Sequence, residues 1–187
     1  MRYLFPALAA LTLTACMNQP DYRAEKADPE TVPSVDLERY AGLWYEIARY
    51  PNFFEDREGF VCFAPTAEYT LRGDGKVGVR NRCRKNSLDG PVEEANGRAW
   101  VVDPSGAKLK VQFAPRWIPF TSGDYWVLDL TEDYSAALVG DPTGKYLWIL
   151  SRTPVLPEET KARILATAEA KGYQTEPFFW PPHLAAE

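Results

Sequence analysis

The chain is poor in the side chains that most catalytic and metal sites need. It has one histidine, His183, placed in a proline-rich tail. One imidazole so placed argues against His-assisted nucleophilic catalysis and against a His-based metal site. No glycine-rich phosphate loop is present, so no nucleotide cofactor is implied. Metal and cofactor are both expected to be absent. There is no basic block, and the formal net charge is −5, so nucleic acid is not an expected partner. No apolar run reaches the roughly 20 residues of a membrane-spanning helix. There is no solenoid repeat and no low-complexity tract. Aromatic residues, by contrast, make up 13% of the 187 residues, within 45% hydrophobic and 25% charged. That balance suits one globular domain.

The first segment, MRYLFPALAALTLTAC, carries one Arg, then a short apolar run, then small residues before a cysteine. This is the layout of a secretory signal peptide. Ending in Leu13-Thr14-Ala15-Cys16, it resembles a bacterial lipoprotein signal. The resemblance implies cleavage after residue 15 and a palmitate-type acyl anchor on Cys16. The plain alternative is an ordinary signal peptide with an incidental cysteine. Residues 16–34 are polar with three prolines and read as a flexible tether. The folded domain is expected over residues 35–183. An exported chain meets an oxidising compartment, so Cys62 and Cys83 are candidates for one disulfide, two buried thiols being the alternative.

From Gly42 the sequence runs through short segments of period-two alternation. CFAPTAEYTLR and KVGVRNRCRK flank Gly73-Asp74-Gly75, and NGRAWVVD and KLKVQFAPR flank Pro104-Ser105-Gly106. Both are hairpin signals. GDYWVLDL, SAALVGD and KYLWILSR follow; with LWYEIARY near the start they make eight strands in up-and-down order. Closure of such a sheet into a barrel removes its edges. One helix is expected after Pro157, with Glu158 and Glu159 in its first turn and Gly172 just past its end.

Alternation assigns inward positions strand by strand. Charged Arg80, Arg82 and Arg84 place Val79, Asn81 and Cys83 inward. Outward Glu68 and Thr70 leave Ala67 and Tyr69 inside. Lysines 108 and 110 turn Leu109, Val111 and Phe113 inward, and Arg98 does the same for Ala99 and Val101. Asp129, taken as outward, turns Trp126 and Leu128 in. Tyr146 and Trp148 share a face, and Glu46 follows the parity of Trp44. The inferred lumen is apolar and aromatic with few polar members, as an elongated apolar ligand would require. The alternative is that these side chains fill the barrel. Strict alternation from Ala67 turns Cys62 outward, so a bridge to Cys83 needs a one-residue slip. Pro65, which cannot donate to the ladder, places that slip near Ala64-Pro65.

GLWYEIARY resembles the Gly-x-Trp signature of the lipocalins, LTEDYSAALV their second motif, and YLWILSRTP their third. The second departs from the common pattern by reading Thr131-Glu132-Asp133-Tyr134. The likeness spans residues 35–180 and, with the lipoprotein signal, is nearest to the bacterial outer-membrane lipocalins related to apolipoprotein D. It implies an eight-stranded antiparallel barrel with a C-terminal helix packed outside. It also implies a base closed by Gly42, Trp44 and Arg152, with the guanidinium over the indole. The loops holding Phe53, Phe54, Trp117 and Phe120 would then rim the open end, either touching membrane or folding over the barrel as a lid.

The resemblance implies a non-enzymatic carrier of fatty acids or lysophospholipids. It would be tethered to the periplasmic face of an outer membrane, serve envelope maintenance or stress, and could form a homodimer. A competing reading is an envelope enzyme acting on a lipid or isoprenoid, with Glu46 as acid or base. A third is a protein-binding lipoprotein using its mouth loops.

Overall fold

Side chains that alternate between apolar and polar, punctuated by turn residues, set a series of antiparallel hairpins in the computed structural model. The structure describes residues 19–115, 118 and 121–184. The expectations for Cys16, Trp117 and Phe120 lie outside the described residues.

The strands are β1 (Gly42–Arg49), β2 (Asp56–Arg57), β3 (Phe60–Leu71), β4 (Val77–Lys85), β5 (Val92–Val101), β6 (Lys108–Gln112), β7 (Ser122–Leu130), β8 (Ala136–Gly140) and β9 (Leu147–Ser151). Each of β3 to β9 pairs with its neighbour in sequence, and β1 pairs with both β3 and β9. That double pairing closes an eight-stranded barrel. The two-residue β2 is an extra flap on the start of β3, in the loop after β1. A one-turn helix, α1 (Leu37–Tyr40), precedes the barrel, and α2 (Glu158–Ala170) follows it.

The barrel wall is apolar on both faces where α2 covers it. Ile164 and Ala168 of α2 are fully buried in one cluster with Leu138, Leu147 and Ile149. Every residue of β8 is buried, because its odd side chains face the lumen while Ala136 and Leu138 face the helix. Arg163 of α2 donates to Asp129 Oδ2 at 2.7 Å and fixes the helix over β7. The helix starts after Pro157 and ends at Lys171, with Gly172 at φ +82°.

The pairing of β3 with β4 slips between Phe63 and Thr66, and Ala64 takes φ +45°. The slip turns Cys62 to the same side as Cys83, and the two form a disulfide with their Cα atoms 5.4 Å apart.

Residues 19–34 are not a loose tether. Tyr22 N–H donates to Gly144 O at 3.0 Å and Ala24 N–H to Gly172 O at 3.0 Å, while Gln174 N–H donates to Tyr22 O at 2.9 Å. Arg23 is only 4% exposed; its guanidinium donates to Lys171 O and Glu25 O, both at 2.9 Å. Gly144 is required here, since a Cβ on it would lie 2.2 Å from Arg23 Cβ. Composition suggested a tether because the segment has little apolar surface. It is held instead by backbone pairing, which composition does not register.

Candidate functional site

The barrel encloses a cavity of about 940 Å³, open at one end. This lies near the top of the usual range for a small-molecule pocket, about 300–1,000 Å³.

Its closed end is built around Trp44, which is fully buried. Trp44 Nε1 donates to Tyr40 O at 2.8 Å. The guanidinium carbon of Arg152 stands 3.8 Å from the Trp44 ring centre. Arg152 donates to the carbonyls of Leu43 (2.7 Å), Arg39 (2.8 Å), Ala41 (2.9 Å) and Tyr40 (3.1 Å). These are the last carbonyls of α1 and the entry to β1, which the end of a helix leaves without intrahelical donors; Tyr40 O is shared with the Trp44 indole. Gly42 sits at φ +95°, and a Cβ on it would lie 3.4 Å from Arg152 Nη1.

Above this plug three tyrosine hydroxyls meet. Tyr125 OH lies 2.8 Å from Tyr40 OH and 2.9 Å from Tyr69 OH. Burial raises the pKa of all three, so they stay neutral. Two hydrogen bonds among three hydroxyls consume two donors, leaving one O–H to meet an acceptor in the cavity.

Higher on the wall is a group of acids. Glu46 Oε1 accepts from Arg49 Nη1 at 2.9 Å. Arg49, fully buried, is also gripped by both oxygens of Asp56, at 2.8 and 2.6 Å. Asp56 matches the guanidinium charge, so Glu46 is the surplus carboxylate. Burial, with Glu55 close by, pushes its pKa well above the ordinary glutamate value. Glu55 in turn accepts from Trp148 Nε1 at 3.2 Å. His183 bonds to Glu46 O through Nε2 at 2.8 Å, and burial lowers its pKa. Neutral at Nε2–H, it donates there. Asn81 Oδ1 is buried with no partner among the described residues.

The structure brings Glu46, Ala67, Tyr69, Val79, Asn81 and Ala99 to the cavity surface. Val111, Phe113, Tyr146 and Trp148 join them, as do Phe53 and Phe54 at the mouth. Val101 does not line the cavity; it packs against the lining residues Val77, Ala99 and Leu109. Trp126 and Leu128 need a larger correction. Both face outward and belong to the cluster under α2, while Tyr125 and Val127 face in. A β-bulge lies between Val127 and Asp129. Asp129 therefore points out beside Leu128, and parity counted back from it inverts. The indole Nε1 of Trp126 has no partner among the described residues, and Lys108 Nζ lies 3.8 Å from its ring centre.

Tyr40 was missed as a lumen residue because α1 was missed. The available signal was Asp36 before Leu-Glu-Arg-Tyr: Asp36 Oδ1 accepts from Glu38 N–H at 2.9 Å and Arg39 N–H at 3.3 Å, a helix N-cap.

Comparison with known proteins agrees with this geometry. Among solved structures, insecticyanin from the tobacco hornworm Manduca sexta superimposes with a TM-score of 0.64 over 88% of this chain and 89% of that one. At 24% identity it speaks to the fold alone. The chain is 42% identical to temperature-induced lipocalin-1 of Arabidopsis thaliana over 154 residues, 80% of each chain. It is 38% identical to outer membrane lipoprotein Blc of Escherichia coli over 175 residues, 93% of this chain and 92% of that one. The model of the lipocalin-like domain matches residues 35–183. A barrel closed by Trp44 and Arg152, read together with these matches, makes the chain a member of the lipocalin family.

Proposed function

We propose that the protein holds or carries single-chain lipids, fatty acids or lysophospholipids, in its barrel, anchored through Cys16 to the periplasmic face of an outer membrane. Lipocalins are in general binding proteins without enzymatic activity, and a small hydrophobic ligand is what the family implies. The observation that carries the finer reading is the cavity itself: deep, largely apolar, closed at the bottom and open at the top. The anchor is supported by the likeness to a protein described as an outer membrane lipoprotein.

The acids on the wall set the direction of entry. Arg49, the buried cation there, is already taken by Asp56 and Glu46. An anionic or zwitterionic head group finds that cation already neutralised, and a bare carboxylate there would meet Glu46 and Glu55. The acyl tail therefore enters first and the head group stays at the mouth. Each methylene buried contributes at most about 0.8 kcal/mol. Affinity should rise with chain length until the tail reaches the tyrosines, then level off or fall. The test is a fluorescence titration of the delipidated domain with fatty acids and lysophospholipids of graded length. Affinity independent of length would refute a ligand inside the barrel.

A further inference from the structure

A free leash over residues 17–34 would leave the barrel to turn in any direction above its anchor. The structure removes most of that leash. Gln19 Nε2 donates to Pro51 O at 2.5 Å and Lys145 O at 3.2 Å. Those carbonyls belong to the loops after β1 and after β8, both at the open end. From there the segment is pinned down the outside of the barrel at Gly144 and Gly172, then at Val127 and at Ser105, near the closed end. Cys16 precedes Gln19 by three positions, a span of at most ~11 Å. Gln19, the first described residue, is thus held at the mouth of the barrel and away from its base, and an anchor on Cys16 would have only that short span to leave it.

The same rim carries exposed aromatic surface. Pro51, which Gln19 touches, leads into Asn52, whose Oδ1 accepts from Phe54 N–H at 3.0 Å and Glu55 N–H at 3.2 Å. This turn holds Phe53 and Phe54 outward, 46% and 66% exposed. Glu55, Asp56 and Glu58 outnumber Arg57 in the loop, so attraction to an anionic surface does not account for the patch. Phe53 and Phe54, with ring centres 6.3 Å apart, form an apolar patch that, together with an acyl anchor on Cys16, would suit the headgroup–acyl boundary of a bilayer.

We infer that the mouth is held against the lipid leaflet that carries the anchor, with Phe53 and Phe54 inserted, so that a single-chain lipid passes between leaflet and cavity without crossing bulk water. This rests on the reading of Cys16 as the acylated residue. It goes beyond that reading, because an acyl anchor on a long leash would not orient the barrel.

Spin labels on the acylated full-length protein test it. Cys62 and Cys83 are paired, so a thiol introduced by Glu58→Cys at the rim, or by Val155→Cys at the base, is labelled selectively. In vesicles of phosphatidylethanolamine with a minority of phosphatidylglycerol, a water-soluble paramagnetic reagent should reach the rim label several-fold less than the base label. Added salt should leave this contrast unchanged. Phe53→Ser with Phe54→Ser should expose the rim label while the protein stays vesicle-bound. A Gly-Ser insertion between Met17 and Asn18 should also expose it. Equal access at both labels, shielding of the base, or indifference to the insertion in an acylated protein overturns the orientation alone. A mature chain whose mass shows no acyl group on Cys16 overturns the anchor, and the orientation with it.

Discussion

The guanidinium carbon of Arg152 stands 3.8 Å from the Trp44 ring centre while the group reaches four backbone carbonyls between Arg39 and Leu43. The pair closes the barrel and at the same time completes the end of α1. Both roles need the planar fork of arginine. Arg152→Ala should therefore lower stability by about 2–4 kcal/mol, the cost of leaving a network of acceptors unpaired. Arg152→Lys should fall between the two, keeping charge without the fork. Urea midpoints of the three proteins check this; an unchanged midpoint for the alanine variant removes the assigned role.

The Cys62–Cys83 bond ties the start of β3 to the end of β4 at the mouth side, with a sequence separation of 21. Closing a loop of that length contributes on the order of 3 kcal/mol. Reduction, or the double change to Ser, should lower the unfolding midpoint accordingly. Thiol titration of the oxidised, denatured domain lacking Cys16 should find no free thiol. Two titrating groups would contradict the bond.

The sequence carried the architecture because hairpin turns and alternation are local signals. It carried the slip in β3 because Pro65 marks a place where the ladder cannot continue, and two cysteines on opposite parities demanded one. The bulge in β7 has no such mark: Val127-Leu128-Asp129 contains no Pro or Gly, and an acid beyond the bulge misassigned Trp126 and Leu128. A second slip, between Glu46 and Ala48, is equally silent, yet Glu46 was placed correctly because it precedes the slip. The N-terminal strap was invisible for another reason. Its partners, Gly144 and Gly172, are more than a hundred residues away, and composition alone cannot report such pairing.

Glu46 makes stability depend on pH in an unusual sense. Its pKa is raised in the folded state by burial and by Glu55, so the folded protein binds its proton more tightly than the unfolded chain does. The stability this confers is fully present below the unfolded glutamate value, about 4.3. It is lost as pH rises through the folded value. Glu46→Gln keeps the acceptor for Arg49 and abolishes the titration. Relative to the parent, the variant should gain stability steadily as pH climbs from about 4.3. Denaturation midpoints across that range decide the matter; parallel curves for the two proteins would mean that Glu46 is ionised in both states.

The two tryptophans near the middle of the barrel should answer differently to a ligand, because they face opposite ways. Trp148 lines the cavity, stacked on Tyr146 with ring centres 5.7 Å apart. Trp126 lies outside, under α2. An acyl chain in the lumen contacts the first and leaves the second untouched. Trp148→Phe should therefore abolish most of the fluorescence change on titration with a fatty acid, while Trp126→Phe should preserve it. Ala67 and Ala99, 8% and 5% exposed, line the same cavity and offer a way to fill it. Ala67→Phe and Ala99→Phe add apolar volume where open space already exists, so neither should carry the usual penalty of overpacking a filled core, about 1–3 kcal/mol. Both should keep the native circular dichroism and the cooperative unfolding transition while losing ligand affinity. If the filled variants bind as tightly as the parent, or if Trp126 is the reporter, the lipid is held on the outer wall and not in the barrel.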